Sequence, residues 1–182
     1  MEIIYNLNNI EGLHLLKPKI FYDDRGYFFE DYNSYIFQEL GININFVQDN
    51  QSYSKKGVLR GLHYQKQYPQ SKLVKVIKGS VYDVAIDLRK NSETYGKYYG
   101  IILSEENHYH FLIPKGFAHG FLVLSDYAIF QYKCDDFYHP NDESGIIYND
   151  PTINIKWPFI NSIILSEKDK NWKTLKEIED IK

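Results

Sequence analysis

Between residues 72 and 133 the chain offers only short apolar runs, each closed by a turn signal, and no long helical period. In Val81–Leu88, positions 82, 84, 86 and 88 are apolar while Asp83 and Asp87 fall on the alternate face, a period of two that marks a strand. Lys72–Ile77, Tyr99–Leu103, Tyr109–Ile113, Gly120–Leu124 and Tyr127–Lys133 read in the same way, and Ile77-Lys78-Gly79-Ser80 reads as a hairpin turn. Seventeen Tyr and eleven Phe strengthen the reading, because aromatic rings suit a pleated, half-buried surface. Helical signals are few. Asn33 or Ser34 caps a short helix running through Leu40 and stopped by Gly41, and Ser166–Asp169 opens another. Many strands, a few short helices and no βαβ rhythm predict an all-β fold, an antiparallel jelly roll or a similar barrel. With no repeat, low-complexity tract or linker, the 182 residues predict one domain.

Charge and cysteine content narrow the function classes. A net charge of −3 without a basic block argues against a general nucleic-acid binder. The apolar runs are too short to span a bilayer, and the opening residues Met1–Asn6 lack the pattern of a signal peptide. The single cysteine, Cys134, forms no internal disulfide. Together these features predict a cytoplasmic protein with no membrane partner.

Two clusters carry the chemistry. The first is Gln48–Ser52 followed by Gly57–Gln65. Gln48 and Asn50 donate and accept hydrogen bonds, as the hydroxyls and ring edges of a nucleoside require. Arg60 offers a planar fork for phosphate, and His63 is the side chain best suited to reversible proton transfer near neutrality. Strict alternation places Arg60 and His63 on opposite faces, and a bulge at Gly61 would bring both into one pocket. The second cluster, Ile113–Phe121, sets His119 among Pro and Gly between apolar strands and resembles the second half of a cupin motif. The first half of a metal-binding cupin reads His-x-His. Here it is His63-Tyr64-Gln65, so the expectation is that no metal and no cofactor is used, despite six histidines.

Seven segments in order, from Asp24–Glu30 through Gly57–Gln65, Lys72–Val74, Asp83–Arg89, Ile113–Phe121 and Tyr132–Cys134 to Leu165–Asp169, resemble the dTDP-4-dehydrorhamnose 3,5-epimerase family. The resemblance runs from about residue 11 to 175. It implies a cupin-type double-stranded β-helix that inverts carbons 3 and 5 of a dTDP-linked 4-keto-6-deoxy sugar, in the supply of dTDP-L-rhamnose for surface polysaccharide. By the same resemblance His63 is the base, Asp169 holds its imidazole, Lys72 stabilises the enolate and Tyr132 delivers a proton from the opposite face. Arg25, Arg60 and Lys168 fit phosphate or nearby contacts. Glu30, Gln48, Asn50, His119 and Glu143 orient the nucleotide sugar, and Tyr138 stacks on thymine. Arg25 and Glu30 are expected to reach the site of a partner subunit, which makes a homodimer.

Elementary chemistry asks for the same residue types. Inverting a carbon beside a ketone needs a base on one face, an acid on the other and a cation for the enolate oxygen. Bland readings exist for several of them. Ser166-x-x-Asp169 resembles a capping box, Tyr132 alternates with Ala128 and Phe130 as a core aromatic would, and Lys72 fits a solvated strand end. Asp83 and Asp87 read as structural, and His14, His108, His110 and His139 receive no role. Two positions depart from the family pattern: Asp135 stands where Thr commonly follows Tyr-Lys-Cys, and Tyr148 replaces a usual Trp. The competing functions are an epimerase acting at one carbon or on another nucleotide-linked sugar, a non-catalytic sugar-nucleotide binding module, and a metal-dependent cupin enzyme.

Overall fold

The computed structural model describes residues 1–178. In chain order the strands are β1 (Glu2–Ile4), β2 (His14–Lys17), β3 (Phe21–Asp23), β4 (Gly26–Phe28), β5 (Gln48–Lys55), β6 (Leu59–Gln65) and β7 (Lys72–Lys78). They continue with β8 (Ser80–Asp87), β9 (Tyr98–Ser104), β10 (His110–Ile113), β11 (Phe117–Val123), β12 (Tyr127–Cys134) and β13 (Glu143–Gly145). One sheet has the order β1-β2-β10-β7-β12-β5 and the other β13-β6-β11-β8-β9, with β3 and β4 forming a separate ribbon. All the strand pairings are antiparallel. The result is the jelly roll that the alternating runs predict.

The main core lies between the sheets. Leu15, Val74, Val76, Phe111, Ile113 and Phe130 come from the first sheet, and Val81, Ala85, Phe117, Phe121 and Val123 from the second. A further cluster covers the outer face of the first sheet, where Phe37 and Ile42 pack on Leu16, Leu73 and Leu112. Phe37 arrives on the helix α1 (Ser34–Glu39), whose cap is Asn33: its side-chain oxygen accepts from the Tyr35 and Ile36 amides. Gly41 follows at φ +76°, the left-handed position that favours glycine after a helix.

One expectation is overturned. Ile77–Ser80 is not a hairpin, because β7 and β8 belong to different sheets and do not pair. Gly79 is the corner between them. Its φ is +79°, and a Cβ there would lie 2.1 Å from the Tyr127 carbonyl oxygen, so the position demands glycine for a sheet-to-sheet crossing. The period of two in β8 holds, with Asp83 and Asp87 together on the alternate face. Both faces of that strand are buried: Val81 and Ala85 enter the main core, while Val84 and Ile86 pack under Ile146, Ile153 and Ile155. The two aspartates are buried with them. A period of two reports alternation of faces, and it reads as half-exposed only when one of the faces meets water.

Asp87 is structural, as expected. Its carboxylate accepts from Arg89 Nε and Nη2 at 2.9 and 2.7 Å, and from the Ser92 and Thr94 hydroxyls at 2.6 Å each. Burial raises its pKa, but these donors outweigh burial and hold the carboxyl below its usual range. A carboxyl with a lowered folded pKa stabilises the native state above its unfolded value, near 3.9, and loses that contribution as pH falls through the folded value. Asp87→Ala is therefore expected to destabilise by about 2–3 kcal/mol at neutral pH. Thermal unfolding checks this, and the gap between variant and parent should close on acidification below about pH 4.

Candidate active site

β6 and β11 build the centre of the site. His119 lies opposite His63 and Phe121 opposite Arg60, so two residues of β6 oppose the one residue Gly120 of β11. That extra residue is the bulge expected at Gly61, and it turns Arg60 and His63 into the same cavity. Gly61 has φ +122°, and a Cβ on it would lie 2.6 Å from the Gly120 Cα. Two glycines face each other across the bulge because the backbones touch there.

The cavity has a volume of about 390 Å³ and is lined from both sheets. β5 contributes Gln48 and Asn50, β6 Arg60 and His63, β7 Lys72, β11 His119 and β12 Tyr132; Tyr138, Glu143, Lys168 and Asp169 close the rim. Every site residue singled out in the sequence is therefore in this cavity except Arg25 and Glu30. A smaller cavity of about 70 Å³ adjoins it, sharing His63, Lys72, Tyr132, Tyr138 and Glu143.

His63 Nε2 lies 2.5 Å from Asp169 Oδ1. Burial raises the Asp169 pKa, but His63, Ser166 and Trp172 outweigh it and hold the group below the usual range. It is a carboxylate at neutral pH and accepts, so Nε2 carries the proton and Nδ1 is left as the basic nitrogen. Trp172 donates Nε1 to the same carboxylate oxygen at 3.1 Å and meets the imidazole edge-on. The capping-box reading of Ser166 is half correct. The Asp169 amide does donate to Ser166 Oγ at 3.0 Å, starting the 3-10 turn Asp169–Asn171, but the carboxylate that a capping box would spend locally is turned to His63.

Lys72 is no solvated strand end. Its ammonium is buried in the cavity, which pushes its pKa down, partly countered by Cys134, Glu143 and Asp83. A buried cation short of a close carboxylate partner is set to meet negative charge on a ligand. Tyr132 packs its ring beside Phe130, as the alternation suggests, yet it also lines the cavity, where its phenol group feels Arg60, Glu143 and Tyr138. Burial first, then nearby acidic groups, push its pKa up to about 12, so it is a protonated donor at neutral pH. On the rim, Glu143 Oε2 accepts from Tyr138 OH at 2.7 Å and from Lys168 Nζ, while Oε1 faces His63 Nδ1 at 3.8 Å. Gln48 donates to Asn50 Oδ1 at 2.9 Å and accepts from the Tyr138 amide at 3.1 Å. Arg60 Nε is steadied by Ser54 Oγ at 2.9 Å.

Asp83, structural by its place in the strand, has a second task in the fold. It is wholly buried, and both of its oxygens lie 3.0 Å from His119 Nε2, fixing that ring against the cavity wall. Each of the paired histidines thus has its own carboxylate. Among the described residues no three His, Cys, Asp or Glu side chains converge as a metal-ligand set.

Arg25 and Glu30 lie outside this cavity. Arg25 caps the β3–β4 ribbon, exposed and bonded to Asp23, and Glu30 accepts from Asn33 Nδ2 at 3.1 Å. The same ribbon exposes Phe21, Tyr22, Tyr27 and Phe28. At the variant position Asp135, Oδ1 accepts from the Ser71 amide at 2.7 Å and Oδ2 pairs with Lys115 at 3.3 Å, tying the strand end to the loop before β7.

Residues 8–177 match the family model described as dTDP-4-dehydrorhamnose 3,5-epimerase. The chain belongs to that family. A dTDP-4-dehydrorhamnose 3,5-epimerase from Methanothermobacter thermautotrophicus is 54% identical over 97% of this chain and 96% of its own length. The epimerase of Escherichia coli is 51% identical over 95% of each chain. Among solved structures, the Legionella pneumophila epimerase in complex with dTDP-4-keto-L-rhamnose is 51% identical, with a TM-score of 0.94 over 98% of this chain and 94% of that one. As an epimerase the chain is an isomerase-class enzyme, and its jelly roll is of the cupin type. Residue chemistry alone gave no site role to Trp172, Ser166 or Asp83, which the structure places in or behind the candidate site. Asp83 left a signal as a carboxylate inside an apolar alternating strand and Ser166 one as a cap, whereas Trp172 left none.

Proposed function

We propose that this protein converts dTDP-4-dehydro-6-deoxy-D-glucose to dTDP-4-dehydro-L-rhamnose by inverting carbons 3 and 5. The observation that carries the reading is that His63, Lys72 and Tyr132 line one cavity, with Asp169 fixing the histidine from behind. The ketone at carbon 4 acidifies the hydrogens on both neighbouring carbons. His63 removes one of them, Lys72 meets the charge that develops on the ketone oxygen, and Tyr132 returns a proton from the opposite face. A binding module needs no such pair. Arg60 and Lys168 bind the diphosphate, Gln48, Asn50, His119 and Glu143 orient the nucleotide sugar, and Tyr138 stacks on thymine. The steps need neither metal nor redox cofactor. The product serves dTDP-L-rhamnose supply for surface polysaccharide such as O-antigen. The chain works in the cytoplasm as one cupin-type domain over residues 1–182, of which 179–182 lie outside the described residues.

Incubation with dTDP-4-dehydro-6-deoxy-D-glucose in deuterated water, followed by NMR of the ring protons, tests the reading. Deuterium at carbons 3 and 5 with inversion at both is the expected result. Label at one carbon only would make this a single-carbon epimerase, and no label would sink the acid–base reading.

The working form is a homodimer in which Arg25 and Glu30 enter the partner's site. The exposed aromatic ribbon that carries Arg25 supports this, since such a surface is suited to burial against a second copy. Arg25→Ala is expected to weaken dTDP binding about tenfold, the loss of one charge-assisted phosphate contact, with thermal stability unchanged. Calorimetric titration checks it. Unaltered affinity, or full activity from a monomer, would contradict the shared site.

A further inference from the structure

A base that serves two carbons must be reset between them. Resting on the double-inversion reading above, each inversion leaves His63 with an added proton and Tyr132 as a phenolate. The phenolate readily regains a proton from water. His63 is less free, because Nε2–H is held by Asp169 at 2.5 Å and the substrate's proton arrives on Nδ1. Asp169 sits on the wrong side of the ring to take it.

The carboxylate facing Nδ1 is Glu143, on β13, which pairs directly with β6 and sets Gly145 opposite His63. A Cβ on Gly145 would lie 2.6 Å from the Trp172 ring, so β13, β6 and the turn that carries Asp169 are packed as one unit. The two oxygens of Glu143 are not equivalent. Oε2 is held by Tyr138 OH and Lys168 Nζ, whereas Oε1 points at His63 Nδ1 from 3.8 Å, a gap that one water or a small side-chain swing closes. Tyr138 and Lys168 are half exposed, so the other end of this carboxylate communicates with solvent at the cavity mouth.

We propose that Glu143 is the proton outlet of His63: between the two inversions its free Oε1 takes the proton from Nδ1 and passes it to water, so that one base acts on both carbons. In that step the Nδ1–H bond breaks and an O–H bond forms, leaving a neutral imidazole and a neutral carboxyl. The carboxyl then gives its proton to water while the Tyr132 phenolate takes one from water. Net charge is restored, and each inverted carbon carries a solvent hydrogen. Glu143 suits relay rather than storage. Burial raises its pKa, but Lys168, Tyr138 and His63 outweigh burial and hold it below the usual range, so a proton does not remain there.

The role acts through His63, so its signature is the partition between one inversion and two. The parent protein, Glu143→Gln and Glu143→Asp are each given dTDP-4-dehydro-6-deoxy-D-glucose in deuterated water. Singly and doubly inverted, labelled products are then counted by NMR at early times. The expected result for Glu143→Gln is a ratio of doubly to singly inverted product at least tenfold below the parent's, with the first inversion in a single turnover slowed far less. Added formate, a small carboxylate, should restore the ratio in a concentration-dependent way. Glu143→Asp, which keeps a carboxylate and tests the role should the glutamine variant not fold, is expected to fall between and to respond to formate. Two inversions slowed in equal proportion, with the ratio unmoved by either variant or by formate, would overturn the outlet and leave Glu143 a binding residue only. A parent that inverts a single carbon would instead refute the double-inversion reading itself.

Discussion

His63→Ala is expected to remove both inversion and solvent exchange, lowering each by at least the roughly 10²–10⁴-fold that a positioned base contributes. Without the imidazole no group in the cavity is both basic at neutral pH and free. The Asp169 carboxylate is spent on Trp172 and Ser166, and Glu143, though one of its oxygens is free, is held below the usual carboxylate range by Lys168 and Tyr138 and is too weak a base to replace the imidazole. Lys72 stays available to stabilise an enolate, but none forms. The fold should survive, because the His63 side chain is partly exposed and the bulge is built by Gly61 and Gly120 rather than by the ring. Exchange of the ring hydrogens into deuterated water measures the effect, with thermal unfolding as the control. Exchange persisting within a few-fold of the parent rate would assign the base to another residue.

Tyr132→Phe should behave differently under the same assay. The ring keeps its packing beside Phe130 while the hydroxyl of this cavity-lining residue is lost. His63 still takes a proton from the substrate, and the enolate still forms beside Lys72. On the imidazole that proton exchanges with deuterated water, and return of the exchanged deuteron from the same side restores the starting configuration. Deuterium should therefore enter the ring while net inversion falls by roughly 10²–10⁴-fold, the range for losing a positioned acid. The pKa near 12 sharpens the expectation, since a phenol that stays protonated at neutral pH is an acid in the resting enzyme and not a second base. If Tyr132→Phe blocked exchange as completely as His63→Ala, or inverted the sugar at a near-normal rate, the two-faced mechanism would fail.

Much of this was legible in the chain because strands and caps are local. The apolar alternation that marked β7, β8, β10, β11 and β12 comes from neighbours two residues apart, and the Asn33 cap and Gly41 stop from a single turn of helix. Strands with polar faces escaped that reading. β5 (Gln48–Lys55) turns Gln48, Asn50 and Ser52 into the cavity, so its inner face is hydrophilic and carries no apolar period. The three residues of β13 are too short to show one.

By itself the sequence determined an all-β chain, a glycine bulge between Arg60 and His63, and a set of residue types sufficient for acid–base inversion next to a ketone. Their order along the chain already resembled one enzyme family. What only tertiary structure decided is how those residues are paired. His63 meets Asp169 across 106 positions, His119 meets Asp83 across 36, and Glu143 turns one oxygen to Lys168 and the other to His63. Gly79 became a corner between sheets instead of a hairpin for the same reason. Alternation says which face a side chain takes, but not what the face meets. That is set by sheet order and long-range packing, which no local period encodes.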